Sequence, residues 1–193
     1  MTLARSLLVG LVLGSTPGAL AGAPESGVPD LTLEGTNDRS YALRATVSEA
    51  RFTVFVFFSA TCPCMVAHDE RLRELARSYQ EKGVQFFLVD PEVGDALERG
   101  KVEIQRRQYP FPILADPQAR FARAMKAQFA TTTVVFDSEG RVRYRGGIDN
   151  QNRHVGVSPG ERRYLEEVLS ALLSGKSPDA SETKSFGCYL RTS

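Results

Sequence analysis

The chain has 193 residues, of which 42% are hydrophobic and 24% are charged, and these proportions predict one globular domain with a hydrophobic core of useful size. Its 24 lysines and arginines nearly balance its 23 aspartates and glutamates, which argues against nucleic acid or an anionic membrane surface as a partner. No phosphate-binding glycine loop, serine triad or paired-carboxylate motif stands out. After the N-terminal segment, no apolar run is long enough to predict a membrane span.

Residues 1–21 are predicted to be a secretory signal peptide. Arg5 gives a short basic start, Leu7 to Leu13 an apolar run, and Ala19-Leu20-Ala21 a small-x-small cleavage site. We therefore expect a periplasmic or secreted protein, in a compartment where disulfides persist. The remaining parts are expected to be a flexible tether at 22–30, a folded domain at 31–173, and a polar connector with a cysteine-containing tail at 174–193.

Strand and helix patterns alternate along the domain. Phe52 to Phe58 is an uncharged run without glycine, which predicts a strand buried on both faces of a sheet. The other predicted strands are Leu31–Leu33, Tyr41–Leu43, Val84–Asp90, Thr131–Phe136 and Arg141–Gly146, with an extended Pro110–Leu114. The predicted helices are Met65–Lys82, Asp95–Tyr109, Asp116–Lys126 and Glu161–Leu173. Such an order, ending in a hairpin, predicts an α/β three-layer sandwich with a mixed central sheet.

The turn after the buried strand carries the residues with the clearest chemistry. Cys62-Pro63-Cys64 opens the next helix, and proline suits the first helical position because its missing N–H would have no partner there. Cys62 is therefore expected at the N-cap, with its sulfur facing the free N–H groups of the first turn. The positive end of a helix favours a thiolate. A partly exposed cysteine in this place is expected to be reactive.

The segment Phe57-Phe-Ser-Ala-Thr-Cys-Pro-Cys64 resembles the strand-to-helix active site of the thioredoxin-like redoxins. This group contains the TlpA-like thiol–disulfide proteins and the alkyl hydroperoxide reductase/thiol-specific antioxidant proteins. The resemblance covers Val28 to Leu173, most of the chain after the predicted signal peptide. Two further segments, Tyr144-Arg-Gly-Gly-Ile-Asp149 and Thr183-Lys-Ser-Phe-Gly-Cys188, are similar to the periplasmic redoxin-domain branch.

The resemblance implies a thioredoxin-like α/β/α sandwich and an oxidoreductase that works through Cys62. The reaction would be thiol–disulfide exchange or slow peroxide reduction. The oxidised substrate would then be a protein disulfide or a peroxide, and the electron donor a thiol of unknown identity. No cofactor is implied.

The sequence leaves the partner of Cys62 open. The spacing is Cys-x-Cys where thioredoxins have Cys-x-x-Cys, and Met65 stands at the second position. Cys64 could form a strained, easily reduced disulfide with Cys62, or point into the core as a small apolar residue. The branch resemblance implies instead that Cys188 pairs with the Cys62 region, as a structural disulfide or as the resolving half of a redox cycle. We favour the redox cycle, because the polar connector predicts a mobile tail.

The residues expected to support the cysteines are Ser59, Thr61, Pro63, Thr132 and Arg145. Ser59 lies three residues before the first cysteine, as in the peroxiredoxin signature, but Phe55 stands where that signature has a proline. Any peroxide reaction should therefore be slow. Thr132 stands where thioredoxins carry a cis-proline, and a threonine there suits peroxidases better and predicts a trans bond. Arg145 or Arg123 could supply the cation that a peroxidase needs near the sulfur.

Two other functions remain open. Cys62, Cys64 and His68 form a soft ligand set that suits copper or zinc, and the last two lie four residues apart on one helical face. Otherwise His68 is expected to be a solvated histidine on a charged helix. The second alternative is a non-catalytic domain with a structural Cys62–Cys188 disulfide. His154 belongs to no recognisable pattern.

Overall fold

The structure is a computed structural model that describes residues 27–151 and 160–192. The predicted signal peptide, the first part of the predicted tether (22–26) and His154 lie outside the described residues. The strands are β1 (Thr32–Gly35), β2 (Ser40–Ala42), β3 (Phe52–Phe57), β4 (Val84–Asp90), β5 (Ile113–Ala115), β6 (Thr133–Asp137) and β7 (Val142–Gly146). The helices are α1 (Leu43–Ser48), α2 (Pro63–Gln80), α3 (Ala96–Arg107), α4 (Arg120–Ala124) and α5 (Tyr164–Leu173).

The strands form one mixed sheet in the order β2-β1-β5-β4-β3-β6-β7. The β3–β4 and β4–β5 pairs are parallel, and the remaining neighbours are antiparallel. Strand β3 lies inside the sheet and all its residues are buried, which explains why its sequence is an unbroken apolar run. The end of β3 and the turn to α2 therefore lie between the neighbouring strands β4 and β6.

Helices cover both faces of the sheet. Alternate side chains of β3 point to opposite sides: Val54 and Val56 pack in one core with α2 and α5, and Phe55 and Phe57 pack in the other with α1 and α4. The predicted three-layer α/β/α sandwich is confirmed. Among the described residues, no helix combines the length and the apolar character needed to cross a bilayer.

Two helices differ from their prediction. Helix α4 begins at Arg120 and not near Asp116, because the Asp116 carboxylate accepts the backbone N–H groups of Arg120 and Ala122 and Ala119 takes a left-handed conformation. Helix α3 ends at Arg107 and not at Tyr109, because Gln108 takes a left-handed conformation with φ 54°. Short helix α1 was not predicted, because its six residues are too few to show a period.

The segment at residues 181–191, called the C-terminal segment below, is bound to the domain instead of forming the expected mobile tail. The backbone of Arg145 in β7 bonds Ser181 and Thr183 at 2.9 and 3.1 Å. Further along, the N–H of Leu190 donates to the carbonyl of Gln128 at 2.9 Å. This segment therefore runs from the edge strand of the sheet to the end of β3, where Cys62 lies.

Candidate active site

Cys62 is the N-cap residue of α2, with an extended backbone (φ −80°, ψ 116°) and Pro63 in the first turn. Its carbonyl accepts the N–H groups of Met65 and Val66 at 3.1 and 3.3 Å. Because an N–H at the first helical position would have no partner and the fixed φ of proline suits a helix, Pro63 lets helix α2 start directly after the cysteine. The positive end of the helix is thus placed at Cys62, but no N–H of the first turn donates to the Cys62 side chain, which differs from the predicted orientation of its sulfur.

The Cys62 side chain is 0% exposed, which differs from the predicted partial exposure. The reason is the C-terminal segment, because the backbone N–H of Cys188 donates to Cys62 Sγ at 3.4 Å. The carbonyl of Cys188 in turn accepts the N–H of Ala130 at 2.9 Å. Cys188 is therefore held directly over the Cys62 sulfur by its own backbone.

The two sulfurs also interact with each other. All three cysteines are thiols, and burial, a hydrogen bond to Cys62 and the charge of Cys62 raise the pKa of Cys188 to about 12. Near neutral pH Cys188 therefore keeps its proton and acts as a donor toward Cys62. In this pair, Cys62 is suited to act as the nucleophile, and Cys188 is the thiol that stays protonated.

Cys64 takes the second of the two predicted orientations. Its side chain is 0% exposed and belongs to the core that α2 forms with the sheet. One step along a helix rotates a side chain by about 100°, so the residue two places after the N-cap points inward. The geometry thus places Cys188 in contact with Cys62 from the solvent side.

The turn before Cys62 rests on a buried arginine that the sequence analysis did not single out. Arg107 of α3 donates to the carbonyl of Ala60 at 2.7 Å and lies over the Phe58 ring at 5.2 Å. Its charge is balanced by Asp69 and Glu103, at 3.1 and 2.5 Å. The buried face of α3 is therefore polar, and it fixes the position of the turn.

A second missed residue, Glu92, lies just after β4 and is 1% exposed. Arg191 of the C-terminal segment donates to its carboxylate, with Nη2 3.0 Å from Oε2. Burial favours the neutral acid, but hydrogen bonds from Arg191 and Ser59 outweigh it and hold the pKa of Glu92 below its usual value. Ser59 thus contacts the anchor of the C-terminal segment, and its hydroxyl lies 3.4 Å from that of exposed Thr61.

His68 is buried at 2% exposure, so the prediction of a solvated histidine is wrong. Its Nδ1 lies 2.6 Å from the carbonyl oxygen of Cys64, and its Nε2 lies 3.0 Å from Oδ2 of Asp149. Arg71 also donates to Asp149 and to Glu161. Because its two ring nitrogens lie against Cys64 and Asp149, the imidazole joins α2 to the Tyr144–Asp149 segment.

This geometry does not favour the metal alternative built on Cys62, Cys64 and His68. Across residues 27–151 and 160–192, no group of three or more histidine, cysteine, aspartate or glutamate side chains is arranged to hold a metal ion. The same histidine that a copper or zinc site would require is already used to hold Asp149.

The Thr131–Thr133 turn contacts the C-terminal segment through Thr131. Its hydroxyl donates to the carbonyl of Phe186 at 2.8 Å, and it adopts a left-handed conformation with φ 76°, which is costly for a β-branched residue. Thr132 keeps a trans bond, and its buried Oγ1 has no hydrogen-bond partner among the described residues. The residue with the left-handed backbone beside the segment is therefore Thr131, one place before Thr132.

Neither candidate arginine lies in the core that contains Cys62. Arg145 pairs across the sheet with Val134, which belongs to the opposite core. Its guanidinium contacts Glu182 of the C-terminal segment at 3.4 Å. Arg123 belongs to α4, which covers the same opposite face. The predicted cation near the sulfur is thus not supplied by either residue.

Two glycines allow the C-terminal segment to lie close to the rest of the domain. A Cβ at Gly146 would lie 2.1 Å from Oγ1 of Thr183, and a Cβ at Gly187 would lie 2.0 Å from the carbonyl oxygen of Ala130. The Thr183 hydroxyl also lies 2.6 Å from that of Tyr144. The Tyr144–Asp149 and Thr183–Cys188 segments are therefore complementary surfaces that hold Cys188 in place.

A protein-family model described as Redoxin matches residues 23–158, about seven-tenths of the chain and the part that contains β3 and the Cys62 turn. This chain belongs to the Redoxin family. Membership supports a thioredoxin-like redox function for this redoxin. A comparison with curated proteins finds no match.

Solved structures similar to this redoxin share its fold. A hypothetical protein from Sinorhizobium meliloti 1021 is 23% identical, with a TM-score of 0.77 over 91% of this chain and 97% of that one. The bacterioferritin comigratory protein of Xanthomonas campestris, described for its alkyl peroxide reduction activity, is 16% identical, with a TM-score of 0.54 over 82% and 96% of the chains. A secreted Mycobacterium tuberculosis disulfide oxidoreductase homologous to E. coli DsbE is 14% identical, with a TM-score of 0.50 over 58% and 80%. These likenesses confirm the thioredoxin-like fold.

Proposed function

We propose that this redoxin is an exported thiol–disulfide oxidoreductase in which Cys62 attacks the substrate and Cys188 resolves the product. The observation that carries the proposal is the contact of Cys188 with the Cys62 sulfur, through a 3.4 Å N–H···Sγ bond and a hydrogen bond between the side chains. A residue 126 positions away is brought to the sulfur by a dedicated segment. Such placement is what a resolving cysteine requires.

The reaction begins when the Cys62 thiolate attacks one sulfur of a substrate disulfide. That disulfide breaks, its other sulfur leaves as a thiolate, and a mixed disulfide joins Cys62 to the substrate. Cys188 then loses its proton to the departing thiolate and attacks Cys62 Sγ. The second substrate sulfur leaves as a thiolate and takes a proton from water, a Cys62–Cys188 disulfide forms, and an external dithiol restores both cysteines.

Peroxide is the second candidate substrate, supported by the burial of Cys62 beside Ser59, both at most 1% exposed, because a small oxidant can reach a covered sulfur. The thiolate would break the O–O bond and become a sulfenic acid, releasing water or an alcohol. Condensation with the Cys188 thiol would release a further water and give the same disulfide. The position of Arg145 on the opposite face supports a slow rate.

A disulfide map and a trapping experiment test the proposal. Mass spectrometry of the oxidised full-length protein should find a Cys62–Cys188 bond, and Cys188→Ser should retain the fold while mixed disulfides accumulate on Cys62. Comparison of disulfide and hydrogen peroxide as oxidants identifies the preferred substrate, and the chain length in extracellular or periplasmic fractions tests export. Normal turnover in Cys188→Ser, with no trapped species, would transfer the resolving role to Cys64.

A further inference from the structure

The last residues of the C-terminal segment form an extended peptide. The space that they fill beside residues 128–130, Cys62 and Glu92 is called the cleft below. Tyr189 forms an antiparallel bridge with Phe129, flanked by the Ala130 N–H to Cys188 carbonyl bond and the Leu190 N–H to Gln128 carbonyl bond, both 2.9 Å. These bonds join main chains and do not depend on side-chain identity. Strand addition of this kind gives affinity to extended peptides in general, while pockets for particular side chains give selectivity.

At two positions of the bound segment, close contacts with the domain restrict which residue can be accommodated. Before the cysteine, Gly187 has no room for a Cβ, which would lie 2.0 Å from the Ala130 carbonyl oxygen. Three positions after the cysteine, Arg191 reaches Glu92, with Nη2–Oε2 at 3.0 Å and Nε–Oε1 at 3.4 Å. By contrast, the Tyr189 side chain is 72% exposed, so the cleft should discriminate weakly among side chains at the position directly after the cysteine.

Glu92 is the strongest of these features, because its carboxylate is almost completely buried while its cation comes from the removable segment. When residues 186–191 leave the cleft, the carboxylate loses Arg191. An unpaired buried charge is costly, and a guanidinium is well suited to pair with a carboxylate. A cation delivered to the same place by another chain is therefore favoured.

We propose that the cleft accepts extended, cysteine-containing segments of partner proteins in place of residues 186–191, and that Glu92 selects a basic residue three positions after the partner's cysteine. The C-terminal segment is then an internal mimic of the substrate. This inference rests on the proposed thiol–disulfide function and adds its substrate class, a Gly-Cys-x-x-Arg segment. The chemical step is the exchange described above, in which the partner's disulfide breaks, its other sulfur leaves as a thiolate, and Cys62 bonds the partner's cysteine.

The test uses full-length Cys188→Ser protein and synthetic peptides with the sequence of residues 185–191, whose cysteine is activated as a mixed disulfide with thionitrobenzoate. Attack by Cys62 releases coloured thionitrobenzoate and gives the second-order rate. We expect the peptide with arginine at the last position to react at least tenfold faster than its glutamate counterpart. Displacement of the protein's own segment precedes both reactions, so it does not affect the ratio. A peptide with valine in place of glycine should also react slowly.

Two variants in the same background locate the selectivity. Glu92→Gln should bring the arginine-to-glutamate ratio close to one. Glu182→Gln, which removes a surface carboxylate of the same segment, should leave the ratio unchanged. Equal rates for all peptides with unmodified Glu92 would overturn the inference but not the proposed function. Failure of Cys62 to react with any peptide disulfide, while it still reacts with a small alkylating agent, would overturn both.

Discussion

Two sets of contacts hold the turn that carries Cys62, and they differ in burial. From inside the domain, Arg107 supports the turn with a side chain that is 3% exposed, and its partners come from α2 and α3. From the C-terminal end, Arg191 closes the site with a side chain that is 61% exposed. The inner contact is therefore sheltered from solvent, whereas the outer contact is the one that the proposed mechanism releases to admit a substrate.

The largest effect on stability is expected from Arg107→Ala. This change leaves Asp69 and Glu103 without their buried cation and removes the support of the Ala60 carbonyl, so the free energy of unfolding should fall by about 3 kcal/mol or more. Urea denaturation of the reduced protein measures it. Arg106→Ala is the matched control, because that side chain is 57% exposed and should cost at most about 0.5 kcal/mol. Equal losses in the two variants would contradict the proposed support of the turn.

Asp149→Asn should have the next largest effect, about 2 kcal/mol, since it weakens the buried bonds to His68 and Arg71. Burial opposes ionisation, but the hydrogen bond from His68 and its charge hold the pKa of Asp149 below the usual value of 3.8. A lowered folded pKa means that this stability is present above the unfolded pKa of about 3.9 and is lost as pH falls through the folded value. Denaturation curves between neutral and acidic pH should show this loss in the wild type and a smaller one in Asp149→Asn.

Arg191→Ala should lower the free energy of unfolding by less than Asp149→Asn does, and should strongly raise the accessibility of Cys62. Without the Glu92 contact the C-terminal segment leaves its cleft more often, so Cys62 should be alkylated several-fold faster by iodoacetamide. Site-resolved mass spectrometry separates Cys62 from Cys64, which stays in the core. Arg162→Ala provides an exposed arginine control remote from the cleft. Unchanged alkylation of Cys62 would show that the outer contact does not limit access.

The smallest expected effect is a loss of stability at alkaline pH. The pKa of Cys188 is raised by burial and by Cys62 to about 12, above the unfolded value of about 8.5. The folded state therefore keeps a proton that the unfolded state releases, and stability should decline as pH rises from about 8.5 toward the folded value. In reduced protein the urea midpoint should decrease over this range, and the slope should be smaller in Cys188→Ser. Identical slopes would argue against the buried thiol pair.

The fold and the N-cap position of Cys62 could be predicted from sequence because each depends on local pattern. The apolar run of β3 has a single structural interpretation, and Pro63 after a strand places Cys62 at the N-cap whatever lies elsewhere. The helix bounds were less accurate where a side chain intervened, as Asp116 does by capping the backbone before α4.

The rest of the site depends on contacts between residues far apart in the chain. Glu92 and Arg191 are 99 positions apart, and neither has a pattern around it that indicates an ion pair. The polar face of α3 looked like an exposed face, because a hydrophobic period cannot reveal that Arg107 and Glu103 are buried together. The sequence contains one indication of these contacts. Gly146 and Gly147 lie in the Tyr144–Asp149 segment and Gly187 lies in the Thr183–Cys188 segment, and glycines in both are consistent with backbones that approach closely.

The long separation between Cys62 and Cys188 also has a consequence for biosynthesis. Because a chain is made from its N-terminus and domains begin to fold as they emerge, β3 and α2 can form while residue 188 is still unmade. During that interval Cys62 does not yet have the cover that the C-terminal segment provides, and Cys64 is the one other thiol in the nascent chain. A chain that stops before residue 188 would thus lack this cover over Cys62, so the cover forms only after the C-terminal segment has been made.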